Sequence, residues 1–326
     1  MATHPRSDVL IVGAGVSGLS TAVCLADAGF SVRVVAELPP EWTTSAKAGA
    51  SWGPYLMTHP QALDWCLETF HELSRLAEIP GSGIAMVNGI EAAKYEIEPP
   101  VWAREVPTFQ PCAAADLPAD YTHGWRYTLP LADMSAYLRW LAERLRAAGV
   151  TIERTRISSL EELADQASFV VNCAGLGARE LVDDKELEAV RGQLLVVKNP
   201  GVDWFFQEFE EDTPAAAAEP GEMTYFLPHG AVVVLGGCAR RDGEGLEPDE
   251  VIRDRIRERC AQVEPLLGDA EFLADRVGLR PARPMVRVEA EEIGGRPVVH
   301  NYGHGGAGLT LSWGCAGEVL RLVKAW

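Results

Sequence analysis

Three glycines stand in the string Gly13-Ala14-Gly15-Val16-Ser17-Gly18, at the spacing of a dinucleotide-binding loop. The first glycine permits a tight turn, the second lets backbone approach a pyrophosphate, and the third lets a helix pack close on a strand. The free N–H groups and the positive dipole end of that helix then favour the phosphate charge. Glu37 follows Gly18 by 19 residues, where a carboxylate accepts hydrogen bonds from ribose hydroxyls. Its negative charge argues against a 2′-phosphate, and hence against NADP. FAD and NAD remain.

Three further strings carry chemistry. Val170-Val171-Asn172-Cys173-Ala174-Gly175-Leu176-Gly177 is an apolar strand entering a turn of small residues, and reads as a second backbone contact to a flavin dinucleotide. In His300-Asn301-Tyr302-Gly303-His304-Gly305-Gly306-Ala307-Gly308-Leu309-Thr310, four glycines precede a helix. Backbone must come close to something there, with a helix N-terminus aimed at it. A reduced flavin, negative around N1 and O2, would be stabilised by that dipole. The two histidines lack an accompanying Asp, Glu or Cys cluster, so they read as hydrogen-bonded side chains and no metal is expected. Gly278-Leu279-Arg280-Pro281-Ala282-Arg283-Pro284-Met285-Val286-Arg287 places three arginines where prolines forbid a helix. On an extended strand Arg280 and Arg283 point opposite ways. One buried guanidinium could clamp a carboxylate bidentately. Arg280 is evenly balanced between that role and a surface one, whereas Arg283 and Arg287 read as surface ion pairs.

The elements that must position these strings begin with β-α-β: a buried strand at 9–12, a helix ending near Gly29, and a strand at 31–35. That order calls for a parallel sheet with a right-handed crossover. Helices are expected at 61–78, 247–266 and 309–324. A fourth carries Met134, Leu138, Leu141 and Leu145 on one face and is capped near Asp133 or Ser135. Strands are expected at 150–154, 169–171 and 191–197, with a hairpin of 223–227 and 231–235 around Pro228-His229-Gly230. Residues 79–129 are rich in Pro and Gly and show no strong period. Residues 208–222, acidic and rich in alanine, read as a surface loop.

A length of 326 residues suggests two domains at about 150 each. With 47% hydrophobic and 23% charged residues the chain is neither disordered nor fibrous. Against 47 acidic residues stand 29 Lys and Arg, a net charge of −18, which disfavours nucleic acid and anionic membranes as partners. No apolar run approaches the roughly 18 residues of a membrane span. The first residues lack the pattern of a secretion signal, the last ones that of a peroxisomal signal, and the seven scattered cysteines suit a reducing compartment. A cytoplasmic location is expected.

The chain resembles the D-amino-acid oxidase family. The resemblance is carried by residues 9–18, Thr43-Thr44-Ser45, Trp52-Gly53-Pro54-Tyr55, Val171-Asn172-Cys173-Ala174-Gly175, Arg191-Gly192-Gln193, Tyr225-Phe226-Leu227-Pro228, Gly236-Gly237, residues 278–284 and 300–310, and Trp313-Gly314-Cys315-Ala316. They occur in the family's order and cover nearly the whole chain. The resemblance implies a Rossmann-like FAD-binding domain with a parallel sheet (1–45, 130–192 and 280–326), interleaved with a mixed-sheet, β-rich substrate-binding domain (46–129 and 193–279). It places non-covalent FAD on Gly13, Ala14, Gly15, Val16, Ser17, Gly18, Glu37, Thr43, Thr44, Ser45, Gly49, Ala50, Ser51, Cys173, Ala174, Gly175, Gly305, Gly306, Gly308, Leu309 and Thr310. Ile157 would touch the adenine. Arg280 and Tyr225 would hold the substrate carboxylate, and the Gly306 carbonyl the amine, with Tyr55 and Gly53 beside them. The implied reaction passes hydride from Cα of a D-amino acid to flavin N5, giving a 2-oxo acid, ammonia and, with O2, hydrogen peroxide. A homodimer is also within what the family implies.

The chain departs from that pattern. Gly221 stands where animal members carry a second tyrosine, and Gly53 where they carry a larger residue, which implies a roomier pocket. Tyr55 and Ala239 occupy positions that are histidine and arginine in D-aspartate oxidases, although Arg240 follows. Neutral D-amino acids, bulky or branched ones included, are therefore expected over D-aspartate. A D-aspartate oxidase is the alternative, then a glycine or sarcosine oxidase.

Overall fold

The computed structural model describes residues 7–54, 58–163, 165–209, 221–241 and 243–326. Its N-terminal third runs β1 (Ser7–Val12), α1 (Val16–Asp27), β2 (Val32–Ala36), α2 (Ala62–Ala77), β3 (Ile84–Ala93), α3 (Val101–Arg104) and β4 (Gln110–Pro111). The middle holds β5 (His123–Ala132), α4 (Met134–Ala147), β6 (Thr151–Arg154), β7 (Ala167–Asn172), α5 (Ala178–Leu181), β8 (Glu188–Lys198) and β9 (Phe205–Glu208). The remainder is β10 (Glu222–His229), β11 (Val232–Cys238), α6 (Glu250–Val263), β12 (Phe272–Ile293), β13 (Arg296–His304) and α7 (Ser312–Ala325).

Among the described residues these strands form one sheet of 13, in the order β4-β5-β3-β9-β10-β11-β8-β12-β13-β7-β1-β2-β6. From β13 to β6 all neighbours are parallel, as the β-α-β opening requires. From β4 to β13 they are antiparallel except β3 with β9. The mixed α/β architecture expected from sequence is therefore present.

Helices α1, α2, α4 and α7 bury one core with the parallel strands, through Leu19, Val23, Trp65, Leu73, Tyr137, Leu141, Cys315 and Val319. A second core lies under α6, where Ile252, Ile256 and Cys260 meet Leu195, Phe226 and Val233. The expected cap of α4 is in place: Asp133 Oδ1 accepts from the amides of Ser135 (3.0 Å) and Ala136 (3.3 Å). Such a cap is worth about 1 kcal/mol.

Two readings of the sequence need correction, and a third, the extended arginine-proline segment, holds and is lengthened. The stretch 79–129 contains β3 and most of β5, paired in register from Ile84↔Ala132 to Ala93↔His123. In β3 apolar and polar positions do not alternate cleanly, so no period announces it; the pairing supplies what local pattern lacks. The final helix starts at Ser312 rather than 309, because Ala307 and Leu309 accept in preceding turns from the Leu311 and Ser312 amides. The arginine-proline segment is part of a 22-residue strand. Pro284 sits where pairing to β13 is interrupted between Ala282 and Arg287, so no ladder hydrogen bond is demanded of it.

Candidate active site

A cavity of about 640 Å³ runs from the β1–α1 loop to the middle of the antiparallel strands. At one end its wall is Gly13, Ala14, Gly15, Val16 and Ser17, then Glu37, Thr43, Thr44 and Ser45, with Ile157, Cys173, Ala174 and Gly175 opposite. The loop is fixed by Gly13 N–H to Val35 O (2.8 Å), Cys173 N–H to Val12 O (2.8 Å) and Val16 N–H to Ser45 Oγ (3.0 Å). Among the described residues the amides of Ala14, Gly15, Gly308 and Leu309 have no hydrogen-bond acceptor, and all four residues line the cavity. Two sets of free N–H groups at the starts of α1 and α7 thus face one space, a donor arrangement suited to a pyrophosphate and to an anionic ring. Glu37 lies across from Ile157, with Arg156 Nη1 4.0 Å from its carboxylate. Burial pushes the Cys173 thiol up to about 12, so it is a neutral wall residue.

Two of the expected cofactor residues stand behind the wall. A Cβ on Gly18 would lie 2.0 Å from Gly13 O, so its part is to let α1 close on the loop. Thr310 is buried, and its hydroxyl exchanges hydrogen bonds with Gly53 N–H (3.1 Å) and Gly53 O (2.9 Å). It therefore ties the α7 entry to the segment after α1–β2. Gly49, Ala50, Ser51 and Gly53 from that segment do line the cavity, and a Cβ at Gly53 would meet nothing within 4 Å. Tyr55 lies outside the described residues, as do residues 210–220 of the acidic loop.

At the other end stand Tyr225 on β10 and Arg280 on β12. Arg280 is backed by Gly192, where a Cβ would lie 2.4 Å from its Nη1, and Nη1 donates to Cys238 O at 3.1 Å. Gly236 gives room to the phenol ring, since a Cβ there would lie 2.1 Å from Tyr225 Cζ. One short segment, Gly236 to Cys238, therefore carries both the phenol and the guanidinium. The Gly305 amide donates to Pro281 O at 2.9 Å, which brings exposed Gly306 beside Arg280. Arg283 and Arg287 are absent from this cavity: the first pairs with Asp184 (3.0 Å) and Glu186, the second with Glu289 (2.7 Å) and Glu291 (3.2 Å).

Both histidines of the glycine-rich string are buried and hydrogen-bonded. His300 sits between Glu291 Oε1 (2.7 Å) and Asn172 Nδ2 (3.3 Å), and desolvation lowers its pKa. His304 faces Asn301 Oδ1 at 3.0 Å, and burial lowers its pKa to about 4. Sequence reasoning missed Glu91 on β3 and Gln207 on β9, which also line the cavity. No local sequence signal marks them: both reach the cavity only by pairing into the rung that carries Tyr225.

The family model described as FAD dependent oxidoreductase matches residues 8–322. The chain belongs to this family. It is 45% identical over 320 residues to a D-amino-acid oxidase of Rubrobacter xylanophilus, covering 97% of this chain and 95% of that one. It is 46% identical over 323 residues to a D-amino-acid oxidase of Streptomyces coelicolor, covering 97% of each. A human D-aspartate oxidase is 36% identical, covering 97% and 94%. Among solved structures, a glycine oxidase of Geobacillus kaustophilus superposes with a TM-score of 0.79 at 20% identity, covering 99% and 95%, a likeness of fold. The cofactor of the family is FAD, and the free amides, the Glu37 carboxylate and the continuous cavity between α1 and α7 fit it.

Proposed function

We propose that this protein is a D-amino-acid oxidase, which converts neutral D-amino acids, O2 and water to 2-oxo acids, ammonia and hydrogen peroxide, the water being consumed in hydrolysis of the imine. The observation that carries the reading is Arg280, seated between Gly192 and Cys238 beside Tyr225 at the end of the cavity away from the β1–α1 loop. Gly13, Ala14, Gly15, Val16, Ser17, Glu37, Gly308 and Leu309 would hold FAD without a covalent bond. When bound, FAD supplies the acceptor for the hydride lost from the substrate and returns the electrons to O2.

The chain's own contribution is orientation. Arg280 takes the substrate carboxylate as a charge-assisted pair and Tyr225 adds a neutral hydrogen bond. The Gly306 carbonyl takes the amine, which must be neutral for its lone pair to assist loss of hydride. Three fixed points on one Cα leave one enantiomer with its hydrogen aimed down the cavity, so rate comes from positioning.

The pocket favours uncharged side chains over D-aspartate. Ala239 is buried and apolar, Arg240 is not part of the cavity wall, and its backbone pairs with Arg191. The same reading divides the chain into the interleaved FAD and substrate domains expected from sequence, with the boundary crossing the sheet near β12. No helix among the described residues is long and apolar enough to cross a membrane. A cytoplasmic homodimer acting on small molecules, not nucleic acid or membranes, completes the reading.

Peroxide release from purified, FAD-loaded protein tests it, with both enantiomers of alanine, valine and aspartate, and with glycine and sarcosine. Activity with D-valine and D-alanine and none with the L-forms is expected. Activity with D-aspartate alone would move the assignment to a D-aspartate oxidase, and silence throughout would overturn it.

A further inference from the structure

One rung of the sheet crosses the substrate end of the cavity. Trp125, Glu91, Gln207, Tyr225 and Gly236 are successive partners on β5, β3, β9, β10 and β11. Directly paired residues point to the same face, so Glu91, Gln207 and Tyr225 share one wall of the cavity. Two inter-strand spacings, about 10 Å in all, separate the backbone of Glu91 from that of Tyr225. An extended lysine-sized side chain, with its Cα held near Tyr225, spans most of that interval.

Glu91 is 93% withdrawn from solvent, with 7% exposure remaining. Both of its hydrogen bonds, from Trp125 Nε1–H (3.1 Å) and from the Tyr127 hydroxyl, arrive at Oε2. Among the described residues nothing donates to Oε1, which is left to the cavity. The neighbouring elements do not neutralise this carboxyl. From β5 come Trp125 and Tyr127, from β9 comes Gln207, and Ser51 on the opposite segment is engaged with Gln207 Oε1. Glu208, next along β9, is occupied by Lys94 Nζ (2.9 Å) and the Thr224 amide (2.9 Å). Among the described residues no Lys, Arg or His forms an ion pair with Glu91.

We propose that Glu91 is a specificity-determining residue: within a pocket that admits neutral side chains, its cavity-facing oxygen adds a preference for those ending in a hydrogen-bond donor or a cation, and rejects those that carry a carboxylate. The proposal rests on the oxidase reading, in which Tyr225 and Arg280 fix the substrate's Cα. Arg280 then serves the α-carboxylate and Glu91 serves the far end of the side chain. Glu91 Oε1 is open to the cavity rather than sealed; a side chain that brings a donor gains a hydrogen bond to it, while an apolar one gains none. A side-chain carboxylate would face like charge at short range. Burial holds the Glu91 carboxyl up at about 7, so the preference for a cation strengthens as pH rises through neutrality.

The test compares D-lysine, its near-isostere D-norleucine, and D-glutamate with FAD-loaded wild type and Glu91→Gln. In the variant, the ratio of kcat/KM for D-lysine over D-norleucine should fall at least tenfold, and the D-glutamate ratio should rise. Ratios within twofold of wild type would overturn the proposal. Should Glu91→Gln fail to fold, wild type alone decides: the lysine-to-norleucine ratio should climb between pH 6 and 8, and a flat ratio would refute it. The α-amino group is common to both substrates and cancels. Were no D-amino acid oxidised at all, the oxidase reading would fall separately. Thermal stabilisation of the FAD-loaded protein would still rank D-lysine above D-norleucine if Glu91 acts as proposed, and equal stabilisation would refute it.

Discussion

Arg280 rests on Gly192: the Cβ of any other residue at 192 would stand 2.4 Å from Nη1. Glycine on β8 thus holds the guanidinium in place on β12, its neighbour in the sheet. Gly192→Ala should displace the guanidinium while leaving the FAD end of the cavity untouched. Hydrogen bonds to charged groups are worth about 1.5–3 kcal/mol, so KM for D-valine should rise roughly 10- to 100-fold with flavin content unchanged. Arg280→Ala should do at least as much. Steady-state kinetics on flavin-normalised enzyme check both, and an unchanged KM in Arg280→Ala would remove the carboxylate clamp.

Tyr225→Phe should cost less. The ring stays packed over Gly236, and what the substrate loses is a neutral hydrogen bond. At about 0.5–1.5 kcal/mol, kcat/KM should fall roughly two- to twelvefold. A loss as large as that of Arg280→Ala would show that the phenol does more than support the carboxylate.

Gly18→Val should abolish FAD retention. Its first side-chain carbon would overlap Gly13 O, forcing α1 away from the loop whose amides face the cavity. The measurement is the flavin absorbance of the purified protein. Wild-type absorbance in this variant would show that the loop tolerates the shift.

His304 should make the folded state sensitive to acid. Its imidazole is neutral when folded because burial lowers the pKa from 6.5 to about 4. Between those values the unfolded chain binds the extra proton, so stability is present above pH 6.5 and is lost as pH falls to about 4. The full difference corresponds to roughly 3 kcal/mol. Denaturant midpoints of wild type and His304→Gln, measured from pH 7 to 4, should converge from opposite sides or cross as pH falls. Parallel curves would show that His304 titrates normally.

Much of the dinucleotide end was legible in the chain because its signals are local. The glycine spacing, the apolar run before it and the helix after it specify β1, the loop and α1 without any distant partner. Asp133 announces its own helix for the same reason. The division of labour among Arg280, Arg283 and Arg287 was half legible: strand alternation separates the first two, and the abundant acids around the third suit an ion pair. What alternation could not decide was which of them meets the cavity. That depended on Gly192 and Cys238, brought against Arg280 by pairing with β8 and the neighbouring β11.

The sequence by itself determined the cofactor loop and the parallel strands it implies. Only the tertiary structure decided that Thr310 spends its hydroxyl on Gly53 and that Glu91 faces the same space as Tyr225. The reason is that these relationships are made by strand register and by contacts between segments more than a hundred residues apart, which no local period encodes. A rung across β3, β9 and β10 exists only once those strands have found one another.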